Sequence, residues 1–413
     1  MSRLKRLLKK LALALGALLI VLLLVNAILV WITGNRLEQR LAALRAAGHP
    51  VLLADLQRPA LDPEKNAATF LDRAREDMAA FAKETYAVQA KPEYGQHRLD
   101  DADRKTIQAA FDAYPKLLPL LEKAADCPDC TPAGDFTQAP HAYLATQLPD
   151  VQRMRSAMNV LDAKSRLLLA EGKTEEALTT AITMLRLARH VEHEPLLIGY
   201  LVLVACRASA ADTAHRALRA GPVSAKAHDA LDAELAAADD SRAYQFSLRS
   251  ECAFGMSAFR GFPANSWFFR AYSNDDQANE IDLIDQFVAL VDKPYAEAAA
   301  FEKTWRQQRS PWRHRMSQLL TSALFATRYA HDRGTAQLRC LRVLNALQRK
   351  SGEQALADLG LPTSATTDPF NGQPLHIKKL AGGWLVYSVG KDLTDDGGKL
   401  ENYTDVGLGP LEK

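Results

Sequence analysis

Twenty-three consecutive residues, Leu11 to Thr33 (LALALGALLIVLLLVNAILVWIT), carry no charge, and Asn26 is their only strongly polar side chain. A helix of that length crosses the ~30 Å hydrocarbon core of a bilayer. The chain is therefore read first as a membrane-anchored one. Trp31 falls where aromatic rings favour the interface. Ahead of the stretch, Arg3, Lys5, Arg6, Lys9 and Lys10 give five positive charges and no acid within ten residues. The positive-inside rule puts that end in the cytoplasm. The exit, VWITGNRLEQR, lacks the small-residue pattern of a cleavage site, and the apolar run exceeds that of a cleaved signal. The expectation is a single-pass, uncleaved anchor in the inner (cytoplasmic) membrane, with the residues after Thr33 extracytoplasmic, or periplasmic in a Gram-negative cell. Asn26 is either a tolerated polar residue or a helix–helix contact.

Beyond the first ten residues the chain holds 46 basic and 49 acidic residues. No basic stripe interleaved with aromatics appears, which excludes an ordinary nucleic-acid binder. The expected divisions are a basic cytoplasmic segment (1–10), a transmembrane helix (11–33), a juxtamembrane helix and extended segment (34–62), a helical body (63–310), and a long helix with a C-terminal module (311–413). RLEQRLAALRAAG predicts a helix ending at Gly48. In the body, Pro115 and Pro119 interrupt one helical pattern. LPDVQRMRSAMNVLDAKSRLLLAEG and KTEEALTTAITMLRLARHVEH follow, the second with acids in its first turn and Arg and His in its last. PLLIGYLVLVACRASAADTAHRAL is apolar nearly all round and reads as buried. RGFPANSWFFRAYSNDD (260–276) interrupts the helices. It carries Phe262, Trp267, Phe268, Phe269 and Tyr272, as a loop tucked on the core or a binding lip. A helix from about Trp312 to Lys350, broken near Gly334, is expected after Pro311.

Near the C-terminus, PLHIKKL and GWLVYSV alternate as two strands with Gly382-Gly383 as the turn. A lone hairpin is marginal, so the preceding helix is its natural support. The loop after it, GKDLTDDGGKLENYTDVG, crowds Asp392, Asp395, Asp396 and Asp405 among glycines. Hard cations take several oxygens at once. Calcium, in a structural role, and a solvated acidic loop both fit this pattern, whose spacing is not that of an EF-hand.

Other chemistry is sparse. Sequence motifs for serine hydrolases, P-loops, dinucleotide folds and zincins do not occur. Cys127 and Cys130 form CPDC, read as a small disulfide or free thiols. Its helix–loop setting is wrong for a thioredoxin-type site, and no second pair is spaced for zinc. Cys206, Cys252 and Cys340 stand singly. HVEHE puts His190 and His193 on one helix face with Glu192 and Glu194 beside them. The helix dipole alone favours histidine at that end. SPWRHRM around His314 is a basic, aromatic patch. LRSECAFG predicts an Arg249–Glu251 pair in an interhelical groove, with Cys252 next to it.

TDPFNGQPLHIKK…GGWLVYSVGKDLTDDGG…ENYTDV resembles the end of the major pseudopilin of type II secretion, over about residues 335–408. That resemblance implies a hairpin on a helix and a calcium loop in which Asp392 and Asp405 match the family's first and closing aspartates. The N-terminus lacks a pseudopilin processing site, and KDLTDDGG departs from the family's loop. LRAAGHPVLLADL…NAA, LLLAEGKTEEAL…LRLARH…PLLIGYLV and the final DPFNGQPL…YSVGKDLTDDGG together are similar to uncharacterised membrane-anchored proteins of planctomycete-type bacteria.

The resulting fold class is mostly α. An N-terminal transmembrane helix leads to an irregular, partly tetratricopeptide-like body and a small C-terminal α+β module with a hairpin packed on a helix. The functional expectation is a non-enzymatic binding or assembly protein of the cell envelope, linked to secretion, with calcium in its C-terminal module. Its partners would be the inner membrane, through residues 11–33, and an unidentified envelope protein. The alternative is an envelope enzyme of unfamiliar type with its site in a cleft of the body.

Overall fold

The computed structural model describes residues 2–91, 94, 99–131, 134–261, 267, 269–308, 315–350, 355–400 and 404–410. Its first element, α1 (Ser2–Ala46), is one unbroken helix in which the juxtamembrane segment continues the apolar stretch, as the sequence suggested. Nothing between Thr33 and Arg36 breaks it, since a lone glycine is tolerated in a helix at a cost of about 1 kcal/mol. It stops at Gly48, whose φ of +72° favours glycine. The Gly48 N–H donates to the Arg45 carbonyl and the His49 N–H to that of Leu44, closing the helix end. Through its apolar stretch α1 is exposed apart from a partly covered line at Leu23, Asn26, Val30 and Thr33, and none of its most apolar residues is buried. From Leu37 onward, Leu37, Leu41 and Leu44 form a buried stripe.

That stripe packs on α11 (Arg270–Leu290). Four short helices precede the main body: α2 (Ala67–Arg73), α3 (Arg75–Gln89), α4 (Asp101–Ala113) and α5 (Leu117–Asp126). Asn66 and Asp100 cap α2 and α4 by accepting the N–H groups of Ala68 and Asp103. Pro115 lies in the break between α4 and α5. Pro119 falls in the first turn of α5, where no intrahelical N–H bond is lost.

The core is built on α6 (Pro140–Ala170), α7 (Thr174–Arg189) and α8 (Leu197–Ala220), which pack on one another. The link through Gly172 folds α7 back on α6. α9 (Ala225–Ala238) and α10 (Arg242–Gly261) follow. α11 then begins at Arg270, within the segment read from sequence as a loop through residue 276. Phe262 and Phe268 lie outside the described residues. Trp267, Phe269 and Tyr272 are exposed, not tucked on the core. After α12 (Tyr295–Gln308), α13 (Arg315–Arg349) runs without a break through Gly334, contrary to the expected interruption. Residues 309–314, His314 among them, lie outside the described residues.

α13 supports both the body and the C-terminal module, which opens with a one-turn α14 (Thr363–Thr366). β1 (His376–Leu380) and β2 (Gly383–Ser388) pair antiparallel, with Ala381-Gly382 as the two-residue turn. A third strand, β3 (Val406–Leu408), which the sequence reading missed, pairs antiparallel with β2. Residues 385–388 of β2 are buried on both faces. α13 covers one face, and the loop with Gly398 lies on the other against Leu385 and Tyr387. Asp368 of the DPF motif locks the module in place. Its carboxylate accepts the N–H groups of Phe370 and Val389 and the Ser388 hydroxyl, at 2.7–2.9 Å. The Pro369 and Phe370 carbonyls accept the first N–H groups of α12. One apolar cluster runs from Leu37 to Leu408, so the end of α1, the body and the module share a core.

Candidate functional site

The four aspartates of the acidic loop do not converge. Asp392 accepts the Thr394 N–H at 3.1 Å on an exposed turn. Asp395 accepts the Tyr387 hydroxyl at 3.1 Å and the Gly397 N–H at 2.8 Å, and the N–H bond holds its carboxyl below the ordinary range. Asp405 is buried and accepts the Gly398 N–H at 2.7 Å. The Asp396 N–H approaches its other oxygen at 3.5 Å. Burial pushes the Asp405 carboxyl up, and the Gly398 bond opposes that. The Lys378 ammonium donates to the Gly397 carbonyl. Among the described residues, no three His, Cys, Asp or Glu side chains are gathered to hold a metal ion. The carboxylates here fold the loop down over β2 by accepting its own N–H groups.

CPDC and HVEHE, far apart in sequence, meet. Cys130, His190, His193 and Glu194 line one small cavity with Arg58, Phe136 and Tyr143. The expected disulfide is not present: Cys127 and Cys130 are both free thiols. Cys127 follows the last turn of α5, while Cys130 is buried in the core. Between them, Asp129 pairs with Arg58 and accepts the Cys130 N–H at 2.7 Å. Burial pushes the Cys130 thiol up to about 12, so it is not a nucleophile at neutral pH. Burial would raise the Asp129 carboxyl too, but Arg58 and the Cys130 N–H hold it below its ordinary value. His190 bonds the Ala124 carbonyl at 2.9 Å, and burial lowers its pKa despite that bond. Glu192 instead accepts from Arg207 of α8. His190 and Glu192 thus serve separate partners.

Next to this cavity is a cleft of about 610 Å³, lined by Arg45, His49, Asp55, Leu56, Arg58, Phe136, His193 and Phe246. Its rim comes from the end of α1 and the segment after it, and its aromatic wall from residue 136 and α10. Burial, then Arg249, lowers the His49 pKa. Arg45 and Arg58 bring positive charge to the lining. The His193 ring meets Phe246 edge-on, with centroids 6.2 Å apart. A cleft with aromatic walls and a few charged groups at the mouth suits a partner or ligand with an apolar body and a polar end.

A second, more polar pocket of about 210 Å³ lies where α13 meets the module, lined by Asp239, His331, Asp332, Arg339, Thr367 and Asp368 among others. Arg339 forms a two-pronged pair with Asp239 and donates to the Thr367 carbonyl at 2.8 Å. Arg328, almost fully buried, pairs with Asp332 at 2.6 Å. Burial pushes the Asp332 carboxyl up to about 7 against the pull of Arg328. His331 shares a 2.5 Å hydrogen bond with the Tyr200 hydroxyl and stacks on Tyr244. Burial holds it neutral.

The predicted Arg249–Glu251 pair does not form. Residues two apart point to different sides of a helix. Arg249 pairs with Asp285 of α11, and Glu251 accepts the Leu197 N–H at the start of α8, at 2.9 Å. Cys252 is buried and its thiol pushed far up. Asn26, read from sequence as tolerated or as a dimer contact, donates to the Trp267 carbonyl at 3.2 Å. Sequence reasoning missed Arg45, His49 and Arg58 in the cleft, and His331 with Tyr200 in the pocket. The D-P dipeptide was the one available signal for Asp368. Comparison with family models, curated proteins and solved structures gave no match, so the arrangement is read on its own chemistry.

Proposed function

We propose that this is a single-pass, membrane-anchored protein whose body lies outside the cytoplasm and binds a partner, without catalysis of its own. The observation that carries the reading is α1: a largely exposed apolar stretch, with no residue buried in its most apolar part, runs with no break into a stripe buried in the body. Such a helix would otherwise present an apolar surface to water that soluble chains avoid. The cleft at its far end is the binding surface, and an irregular helical array flanked by the α6–α7 pair suits extended partners. The hairpin on α13 supports the pseudopilin-like reading of the module, and with it a role in secretion. The test is a reporter fused after Lys413. A phosphatase that works only outside the cytoplasm should be active, and activity of a strictly cytoplasmic reporter would overturn the orientation.

Calcium at the acidic loop is a separate proposal, supported by four aspartates between 392 and 405 and by the resemblance. Binding would require Asp395 and Asp405 to exchange N–H donors for the ion. Calorimetric titration should show heat that Asp392→Ala and Asp405→Ala weaken, and an unchanged titration would dismiss it. The enzymatic alternative is favoured by the pocket at His331, Asp332 and Arg339. A small polar ligand that raises the melting temperature in the intact protein and fails to do so in Arg339→Gln would support it.

A further inference from the structure

Five positions within or just beyond the apolar stretch of α1, namely Leu23, Asn26, Val30, Thr33 and Gly34, are partly covered. They recur every three or four residues, or lie adjacent, and so mark one helix face. That face continues into the buried stripe of Leu37, Leu41 and Leu44. Part of the body therefore follows α1 down into its apolar stretch. It is the start of α11. Asn26 donates to the Trp267 carbonyl, Gly34 lies against the Asn274 amide, and Arg36 reaches both Asp275 and Asp282. The partner numbers rise together, so the two helices run parallel and the start of α11 is its deepest point. At 1.5 Å per residue, Asn26 lies about 10 Å below Thr33 along the helix.

At that level Trp267, Phe269 and Tyr272 are 39%, 61% and 41% exposed, and Arg270 is exposed beside them. We infer that Trp267 and the first turn of α11 form a second membrane contact, seated in the interface of the leaflet at the Thr33 end, alongside the anchor. This rests on the anchoring reading above. Amphipathic segments of this kind sit roughly 5–10 Å into the headgroup and acyl boundary. Aromatic rings favour that depth, and an arginine there extends its head toward phosphates. The Asn26 bond fits the same setting. An amide and a backbone carbonyl that both leave water need each other, because the hydrocarbon offers no other partner. Two contacts, one spanning and one interfacial, would fix the tilt of the body. They would also hold the cleft at Arg45 about 18 Å beyond Thr33.

The test uses the full chain in phosphatidylcholine vesicles with brominated acyl chains, which quench tryptophans in contact with them. Wild type is compared with Trp31→Phe and Trp267→Phe. The expected result is that each substitution removes part of the quenched emission. If only Trp31→Phe does so, the second contact is overturned and the anchor stands. If the wild type shows no quenching, both fall. A second readout does not depend on removing Trp267. An environment-sensitive fluorophore on Phe269→Cys should emit at shorter wavelength than the same label on Asp392→Cys. Equal wavelengths, or copy-to-copy crosslinking through position 269 without a shift, would place water or a second chain there and overturn the inference.

Discussion

α1 and α8 are both long and apolar enough to cross a membrane, yet they differ completely in what surrounds them. The most apolar window of α1 is 0% buried, and that of α8 is 61% buried. Their polar residues show the same division. Along Leu11–Thr33 the one strongly polar side chain, Asn26, meets a backbone carbonyl. α8 carries Arg207, Thr213 and Arg216, and each is bound to an acid outside α8, Glu192 in the turn after α7 or Asp162 of α6. Length and hydropathy alone do not separate an anchor from a core helix. The demand for partners does, because a buried charge without a counter-charge is unstable.

The sharpest way to break this contrast is to remove a partner. Asp162 of α6 is buried and accepts Arg166 at 2.8 Å, Thr213 at 2.9 Å and Arg216. Asp162→Ala would leave two largely buried guanidiniums without their acid, at a cost of about 3–5 kcal/mol. Denaturant unfolding of the detergent-solubilised protein measures it. A loss under about 1 kcal/mol would mean that solvent reaches these arginines, and α8 would no longer count as a core helix.

Leucines give a direct pair. Leu203 on α8 is fully buried, and Leu24 on α1 is 59% exposed. Leu203→Ala should cost about 2–5 kcal/mol by emptying packed space. Leu24→Ala should leave unfolding of the body within about 0.5 kcal/mol. Equal losses would show α1 to be packed along its whole length.

The two helices also mark how far the sequence could be read. α1 was legible as a long apolar helix from its uncharged run of 23 residues. α8 was legible because it is apolar all round. The hairpin was legible from its alternation and glycines. β3 was not, since Val406–Leu408 is three residues long with a glycine in the middle, too short for a period. The start of α11 was taken for loop because SWFFRAYSNDD mixes aromatic and polar residues without helical spacing. Its face toward α1 becomes visible only once α1 is beside it. The cleft was the least legible part. Arg45, Arg58, His193 and Phe246 come from four separate segments, and only tertiary packing assembles them.

α11 packs on α1, and its inward face gives a pH test. Burial, then Asp276 and Glu251, raises Glu280 from 4.5 to about 8. Between those values the unfolded chain has released a proton that the folded protein keeps. The contribution of Glu280 to stability is therefore fully present below about 4.5 and is lost as pH rises to about 8. Asp332, raised to about 7, acts in the same direction. Thermal unfolding across that range should show a smaller fall in Glu280→Gln than in wild type. An identical slope would mean that Glu280 is hydrated and ionised, and that the inner face of α11 is wet.

The smallest effect belongs to the outward face of α11, where it meets α1. Arg36 bridges Asp275 and Asp282, both at 2.8 Å, and Arg40 reaches Asp282 at 2.7 Å. These side chains are partly solvated, Arg36 being 40% exposed, so Arg36→Gln should cost at most about 1 kcal/mol and less in high salt. Leu41→Ala, in the buried stripe one turn further along, should cost more, about 2–5 kcal/mol. Hydrogen exchange along α11 separates the two. If Arg36→Gln loosened α11 more than Leu41→Ala, charge rather than apolar contact would join the anchor helix to the body. The junction would then be a hinge that salt can open, and the Asn26–Trp267 bond alone would have to hold α1 in register with α11.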